Sequence, residues 1–398
     1  MYDIPRIDGN TAACRYEDYF AHSRPVIVTG VVESWPACGK WTPGYLRSAL
    51  GSTPVPVGVS TSSQFRLDPL RSELEFPRRK VPFHEYADYV ESGDRNGSGQ
   101  HYYLQRLPVA EYCPGLLPDL PPLDFVDPRR LTSLNLWFGP HASSTALHWD
   151  DYDNAMAQIS GSKRFSLFAP ADTQHLYPHS ALSRAPHQSR VNIDEPDARE
   201  FPGFSLARRH ECVLQAGELL LLPACWWHQT SSIGTSISVN TWWKADIRSL
   251  LRPNVALMMR ELSRAGALTA LRSSLSNVVG AANFMDAAVC AGQTGEHWMC
   301  AMLALAAVEE HLIFQARRDG ILREERLAGP DVLKLAEGLL NAGKCTRARL
   351  QELETLFAQA RGVRESAFAD ADSATAASIL RSATELLASP HRTGTAVN

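Results

Sequence analysis

The sequence predicts a mainly β domain of the antiparallel barrel or sandwich type, followed by a helical domain. Three observations carry this. Up to about residue 245, short apolar runs are separated by turns rich in Pro and Gly, as strands are. Those runs do not alternate with regular helical stretches, which argues against a doubly wound parallel sheet. From about residue 246 the apolar residues recur at three and four, the spacing of a helix. The expected organisation is a β domain over 1–245, a helical domain over 246–388 and a flexible tail over 389–398.

The strand candidates, in chain order, are Pro25–Gly30, Val55–Val59, Leu131–Phe138, Ala155–Ile159, Arg164–Phe168, Glu218–Leu222 and Ser236–Trp242. Gly161 falls between the fourth and fifth and predicts a hairpin turn. Leu131–Trp137 alternates poorly, so burial on both faces is expected. In the second part, Trp298, Met302, Leu305 and Ala306 share a helical face, with Gly320 placed as a C-cap. Thr346 can cap a helix carrying Leu350, Leu353, Phe357 and Ala360. Ile379, Leu380, Ala383, Leu386 and Leu387 form a further stripe, which Pro390 ends. Such stripes demand burial, within the helical core or against a second copy, and a homodimer is the expectation.

With 398 residues, 44% hydrophobic and 21% charged, the chain has ordinary globular composition, which excludes wholesale disorder. No apolar run approaches the length of a membrane span. Met1-Tyr2-Asp3-Ile4-Pro5 has no basic segment leading into an apolar core, so no secretory signal is expected. The eight cysteines form no CxxC pair, which argues against a zinc ribbon or disulfide framework and fits a reducing, cytoplasmic setting. Net charge is −4. The part from Asp246 on carries 17 basic and 17 acidic residues and the part before it 22 and 26, so neither is the basic body that nucleic-acid binding favours.

The chemistry concentrates around Ser144-Thr-Ala-Leu-His-Trp-Asp-Asp-Tyr-Asp-Asn154. His148 and Asp150 lie two apart at the end of a strand-like run, where both side chains project to the same side. His228 follows a distant apolar run. Two imidazoles and one carboxylate on one face of an ion suit non-haem Fe(II) and O2 chemistry. With 13 histidines in the chain, ordinary surface and core histidines produce the same pattern by chance. Lys163 adds weight, because it precedes Phe165 and Leu167 in a run that should be core. An inward lysine is costly unless it meets an anion, such as the far end of a dicarboxylate, with Thr145 as a hydroxyl donor. A solvent-facing lysine beside a turn is the competing reading. Asn154 and Asn240 also lie on strand candidates, where a buried amide needs a partner. Trp226, Trp227, Trp242 and Trp243 read chiefly as packing, and Cys225 as a buried thiol.

The run Thr145 to Pro170, with its His-Trp-Asp, Gly-Ser-Lys-Arg-Phe and Leu-Phe-Ala-Pro elements, resembles the cupin-like JmjC oxygenases. Its motifs are most similar to those of the factor-inhibiting-HIF asparaginyl hydroxylases. The likeness continues through Tyr103-Leu-Gln105, Gln188-Ser-Arg-Val-Asn192, Pro223-Ala-Cys-Trp-Trp-His228 and Ser238-Val-Asn-Thr-Trp-Trp-Lys244, with Arg24–Gly30 and Ser34-Trp-Pro36 upstream. It covers roughly residues 15–245.

The resemblance implies a double-stranded β-helix, or jelly roll, and hydroxylation of a C–H bond with Fe(II), 2-oxoglutarate and O2. His148, Asp150 and His228 would then hold the iron, and Tyr103, Thr145, Asn154, Lys163 and Asn240 would contact 2-oxoglutarate, with Trp242 walling the pocket. Asp151, His187 and Gln188 align with the substrate groove, although those hydroxylases carry arginine where this chain has His187. The implied substrate is a protein or peptide side chain hydroxylated at a β-carbon. Small-molecule or amino-acid hydroxylation, tRNA-base hydroxylation, N-demethylation and a non-catalytic binding module are the alternatives.

Overall fold

In the computed structural model of the chain, residues 2–9, 16–66, 77–93, 99–179, 187–244, 281–293, 297–321, 332–365 and 373–388 are described. The chain divides into two compact units, residues 1–267 and 268–398. The expected boundary near residue 245 abuts the segment 245–280, and the expected tail is 389–398. Both stretches lie outside the described residues.

Among the described residues the first unit is built on thirteen strands. They are β1 (Tyr2–Asp3), β2 (Arg6–Asp8), β3 (Val26–Thr29), β4 (Pro54–Ser60), β5 (Gln64–Phe65), β6 (Arg78–Pro82), β7 (His101–Pro108), β8 (Leu131–Gly139), β9 (Ser144–Thr145), β10 (Tyr152–Phe168), β11 (His210–Gln215), β12 (Leu219–Leu222) and β13 (Trp227–Lys244). They form one mixed sheet with the main order β2-β3-β12-β10-β13-β8-β7-β4-β6. This large sheet is consistent with the expected jelly roll. One face packs a core of Val26, Val28, Leu104, Leu107, Leu136 and Phe138 against short helices that supply Ala37, Leu46, Phe83 and Tyr86. A second, separate cluster joins Phe65, Tyr103, Trp137, Met156, Phe165, Leu167 and Leu220. Local sequence accounts for the helices. Pro43–Leu50, for example, begins with Pro at N1 and is capped by Thr42, whose Oγ1 accepts from the Tyr45 amide at 3.1 Å.

The hairpin expected at Gly161 does not form. Residues 152–168 are one continuous strand, antiparallel to β13 from Tyr152↔Lys244 to Phe168↔Trp227. The pairing slips between Gln158 and Ser160 and again between Ser160 and Ser162, so Gly161 sits in a bulge with φ +70°. A Cβ there would lie 2.0 Å from the Thr235 carbonyl oxygen, which is why only glycine fits. Beyond the bulge β10 changes neighbour, pairing β12 with Asn154–Ala157 and β11 with Ser162–Leu167. The glycine signal was correct and its reading as a chain reversal was not, since positive φ serves bulges as well as turns. The expectation for Leu131–Trp137 also needs correction. Leu131 is 47% exposed, and burial on both faces begins only at Asn135.

The described part of the second unit is helical, with helices Ala281–Gln293, His297–Arg318, Val332–Asn341, Arg347–Glu365 and Ser373–Ala388. Gly320 adopts φ +71° just beyond the second of these, and the Thr346 hydroxyl accepts from the Arg349 amide at 3.2 Å. Leu353, Ile379, Ala383 and Leu386 are buried, as the stripes require. Leu356 is buried too, while Leu350 and Phe357 are only half-buried. The side chain of Trp298 lies outside those described. Among the described residues no helix is long and apolar enough to cross a membrane.

Candidate active site

His148 and His228 face each other as a cross-strand pair. The His148 amide donates to the His228 carbonyl at 3.1 Å and the His228 amide donates back at 2.7 Å. His228 is the second residue of β13, not the sequel to β12 that its sequence context suggested. The turn between them, Pro223 to Trp226, is fixed from the HxD side. The Ala224 amide donates to Asp153 Oδ1 at 2.9 Å and the Cys225 amide to the Asp150 carbonyl at 2.8 Å. Cys225 itself is buried, forms no disulfide and sits at φ +69°.

This pairing brings three ligand-capable groups together. Ligand atoms of His148, Asp150 and His228 all lie within 4.8 Å of one another, and no other such group occurs among the described residues. Asp150 Oδ1 is 4.0 Å from His148 Nε2, and its Oδ2 is 3.5 Å from His228 Nε2. Each imidazole Nδ1 contacts a backbone carbonyl, of Ala146 at 2.8 Å and of Trp226 at 3.0 Å. A carbonyl can only accept, so Nδ1 carries the proton and Nε2 turns a lone pair inward. Burial pulls both imidazoles down, His228 to about 4. Burial opposes the Asp150 carboxylate, but the neighbouring imidazoles and Arg106 hold it below the usual carboxylate range. Two neutral imidazoles and one carboxylate are the protonation states that a divalent cation needs. Asp150 Oδ2 is buried without a hydrogen-bond partner. The residues present therefore fit an ion.

A cavity of ≈ 240 Å3 opens beside this group. His148, Asp150, His228, Thr145, Asn154, Lys163, Trp242, His187 and Gln188 line it, together with residues the sequence had not singled out, among them Gln105, Arg106, Trp137 and Thr230. The one-residue slip between Gln158 and Ser160, a bulge in β10, decides this lining. On β13 the cavity residues are all even-numbered (228, 230, 242), whereas on β10 they change from even (154, 156) to odd (163, 165) across Gly161. Without the bulge, Lys163 would point to the opposite face.

Lys163 is 1% exposed. Its Nζ donates to the Tyr103 hydroxyl at 3.4 Å and lies 5.7 Å from the centre of the Trp137 ring. Burial pulls its ammonium down to about 7. The solvent-facing alternative for this lysine is thereby excluded. Thr145 and Thr230 hydroxyls meet at 3.1 Å on the cavity wall.

Tyr103 and Asn240 stand behind the wall. Asn240 is fully buried, accepts from Trp137 Nε1 at 2.7 Å and Asn135 Nδ2 at 3.2 Å, and donates to Asn154 Oδ1 at 3.1 Å. Asp151 is not among the lining residues. Of the four tryptophans, Trp242 lines the cavity, its ring 5.9 Å from Tyr152, while Trp226, Trp227 and Trp243 are packed in the core.

His187 and Gln188 are docked on the HxD segment through a Trp149 amide to His187 carbonyl bond of 3.0 Å and a His148↔Gln188 bridge. The segment after them is clamped by Arg66, whose guanidinium donates to the carbonyls of Ser189, Arg190 and Val191 at 3.2–3.3 Å. Nothing in the local sequence pointed to Arg66. Arg106, by contrast, directly follows the Tyr103-Leu-Gln105 element.

Comparison with known proteins agrees with this geometry. Residues 11–249 match the family model described as a cupin-like domain. Lysine-specific demethylase 8 of Xenopus tropicalis is 30% identical over 254 residues, covering 60% of this chain and 54% of that protein. The bifunctional peptidase and (3S)-lysyl hydroxylase JMJD7 of Homo sapiens is 28% identical over 279 residues, 64% of this chain and 87% of its own length. tRNA wybutosine-synthesizing protein 5 of Homo sapiens is 28% identical over 254 residues, 61% and 78%. The chain spans a little over half the length of the first curated relatives it matches.

Proposed function

The chain belongs to the cupin-like JmjC family, and on that footing we propose that it is an Fe(II)- and 2-oxoglutarate-dependent oxygenase that hydroxylates a C–H bond of a protein or peptide side chain. The observation that carries this reading is one cavity with the His148, Asp150 and His228 group on its wall and a buried, uncompensated Lys163 beside it. Iron and 2-oxoglutarate, when bound, supply the oxidising power, converting C–H to C–OH as O2 is consumed and 2-oxoglutarate gives succinate and CO2.

The chain's own residues do the positioning. His148, Asp150 and His228 would hold the ion through two imidazole nitrogens and one carboxylate. Lys163, with Thr145 and Asn154, receives the far carboxylate of 2-oxoglutarate, which returns to the ammonium the anion that its burial calls for. Tyr103 steadies Lys163. Asn240 ties Trp137 to Asn154, and Trp242 closes the side of the cavity and keeps water out. His187 and Gln188 face the substrate. The (3S)-lysyl hydroxylase among the relatives supports protein hydroxylation. The relative named as a lysine-specific demethylase favours a second reading, in which a hydroxylated N-methyl group is released as formaldehyde.

A homodimer is part of the proposal and light scattering on the full chain tests it; Leu353, Ile379, Ala383 and Leu386 of the stripes are already buried within the single chain. The free cysteines described, six in number, suit a cytoplasmic setting. The decisive experiment incubates the iron-loaded protein and 2-oxoglutarate with peptide libraries and lysate. Succinate release with a product one oxygen heavier is expected. Formaldehyde release selects demethylation, a modified small molecule or tRNA base selects those substrates, and no iron-dependent succinate at all refutes the oxygenase reading.

A further inference from the structure

A second cavity, of ≈ 220 Å3, lies behind the first, on the opposite face of strands that carry the candidate active site. Successive residues divide between the two. On β10, Lys163 and Phe165 line the first cavity and Arg164 and Ser166 the second. On β9, Thr145 faces the first and Ser144 the second. On β13, His228 faces the first and Gln229 and Ser231 the second, with Thr230 bordering both. The second cavity is therefore separate from the ion group and from Lys163, although one layer of strands walls both.

Gln229 sets what the second cavity can accept. Its side chain is buried, at 4% exposure. Its Nε2 donates to Asp194 Oδ2 at 2.7 Å, and because a carboxylate only accepts, the amide cannot be turned over. Oε1 is thereby held on the other side, where it is buried with no hydrogen-bond partner. A buried carbonyl in that state calls for a donor. Ser166 does not provide it, since its hydroxyl accepts from Arg209 Nη2 at 2.9 Å and donates to Glu211 Oε1 at 3.3 Å. Two exposed charges of opposite sign, Arg164 and Asp194, stand at the rim. Arg164 makes no hydrogen bond or ion pair among the described residues, so an anion can reach it. Apart from Ala142, every lining residue is polar.

We propose that this second cavity binds a small polar α-amino acid. Its ammonium donates to Gln229 Oε1 and toward Asp194, and its carboxylate rests on the Arg164 guanidinium. A dicarboxylate offers Gln229 no donor and is repelled by Asp194, while water brings a donor but no anion for Arg164. A cavity of ≈ 220 Å3 is smaller than the roughly 300–1,000 Å3 that drug-sized ligands fill, and its polar lining gives an apolar side chain nothing to pack against. Glycine and serine meet these limits. The inference goes beyond the oxygenase reading and does not depend on it.

The test is titration calorimetry on the full chain with Mn(II) and 2-oxoglutarate present, so that the first cavity is filled. The probes are glycine, serine, leucine, glycolate, which lacks the ammonium, and ethanolamine, which lacks the carboxylate. Glycine and serine should bind, and the other three should bind at least about tenfold more weakly. Arg164→Gln and Gln229→Met should each weaken glycine about tenfold. Arg164 is exposed, so its variant keeps the test open if Gln229→Met fails to fold. Lys163→Met, altered only in the first cavity, should bind glycine as wild type does, whether or not the chain is an oxygenase. No amino acid bound, glycolate as tight as glycine, or leucine as tight as serine overturns the inference. So does an affinity unchanged in Arg164→Gln, lost in Lys163→Met, or falling as 2-oxoglutarate is raised, since the last two place the amino acid in the first cavity.

Discussion

Replacing Lys163 by methionine should stabilise the ligand-free protein. The ammonium is 1% exposed, no carboxylate among the described residues reaches it, and burial alone lowers its pKa to about 7 from 10.5. Between those two values the unfolded chain holds a proton that the folded chain has released. The penalty is therefore largest at or below pH 7 and fades as pH rises toward 10.5. Integrating the difference gives ~4 kcal/mol at pH 7 and ~2 kcal/mol at pH 9. Methionine is close to lysine in volume, so little is lost in packing. The Nζ to Tyr103 contact of 3.4 Å is long, and its loss offsets about 1 kcal/mol. The variant should thus gain about 3 kcal/mol at pH 7 and about 1 kcal/mol at pH 9. Urea titrations of both proteins across that pH range measure the gap. In the same experiment, 2-oxoglutarate should raise the wild-type midpoint and leave Lys163→Met unmoved. A variant less stable than wild type at pH 7, or a gap that does not narrow with rising pH, refutes the picture of an uncompensated buried ammonium.

Asp150→Ala removes the one carboxylate of the three-residue group and should weaken Co(II) binding at least ~100-fold, followed by the cobalt absorption spectrum. Retained affinity would place the ion elsewhere. Gly161→Ala combines a left-handed backbone with a Cβ 2.0 Å from the Thr235 carbonyl oxygen and should cost well over ~2 kcal/mol in chemical denaturation. Gly234→Ala, at φ +67° but with open space around the new methyl group, should cost only about 1–2 kcal/mol. Equal losses at the two glycines would deny the crowding at the bulge. Asn240→Ala takes their partner from Trp137 Nε1 and Asn154 Oδ1 and leaves Asn135 Nδ2 only its bond to Ser133, so a loss of about 2–3 kcal/mol is expected by the same titration, together with a weaker midpoint shift on adding 2-oxoglutarate.

Much of the ion group was legible in sequence, because two of its members are local. His148 and Asp150 are two apart in the short segment between β9 and β10, so their nearness to one ion is a local matter. The class of fold was legible for a similar reason, since strand-like and helix-like spacing are short-range signals carried by side-chain alternation. Lys163 could be singled out because a cation between apolar residues is conspicuous. What no local pattern could settle is which way that lysine points. Its parity relative to Asn154 depends on a one-residue slip between Gln158 and Ser160, just before Gly161, and a glycine announces a positive φ without saying whether the chain turns back or merely slips register. The same holds for Arg106, which the sequence did not single out and which lines the cavity at a one-residue slip between β7 and β8. The partner of His148 lies eighty residues on (228 − 148), and only the pairing of backbones brings it across. Sequence fixes which groups are present and their local alternation, but long-range register decides which of them meet, because in a sheet a shift of one residue exchanges the two faces.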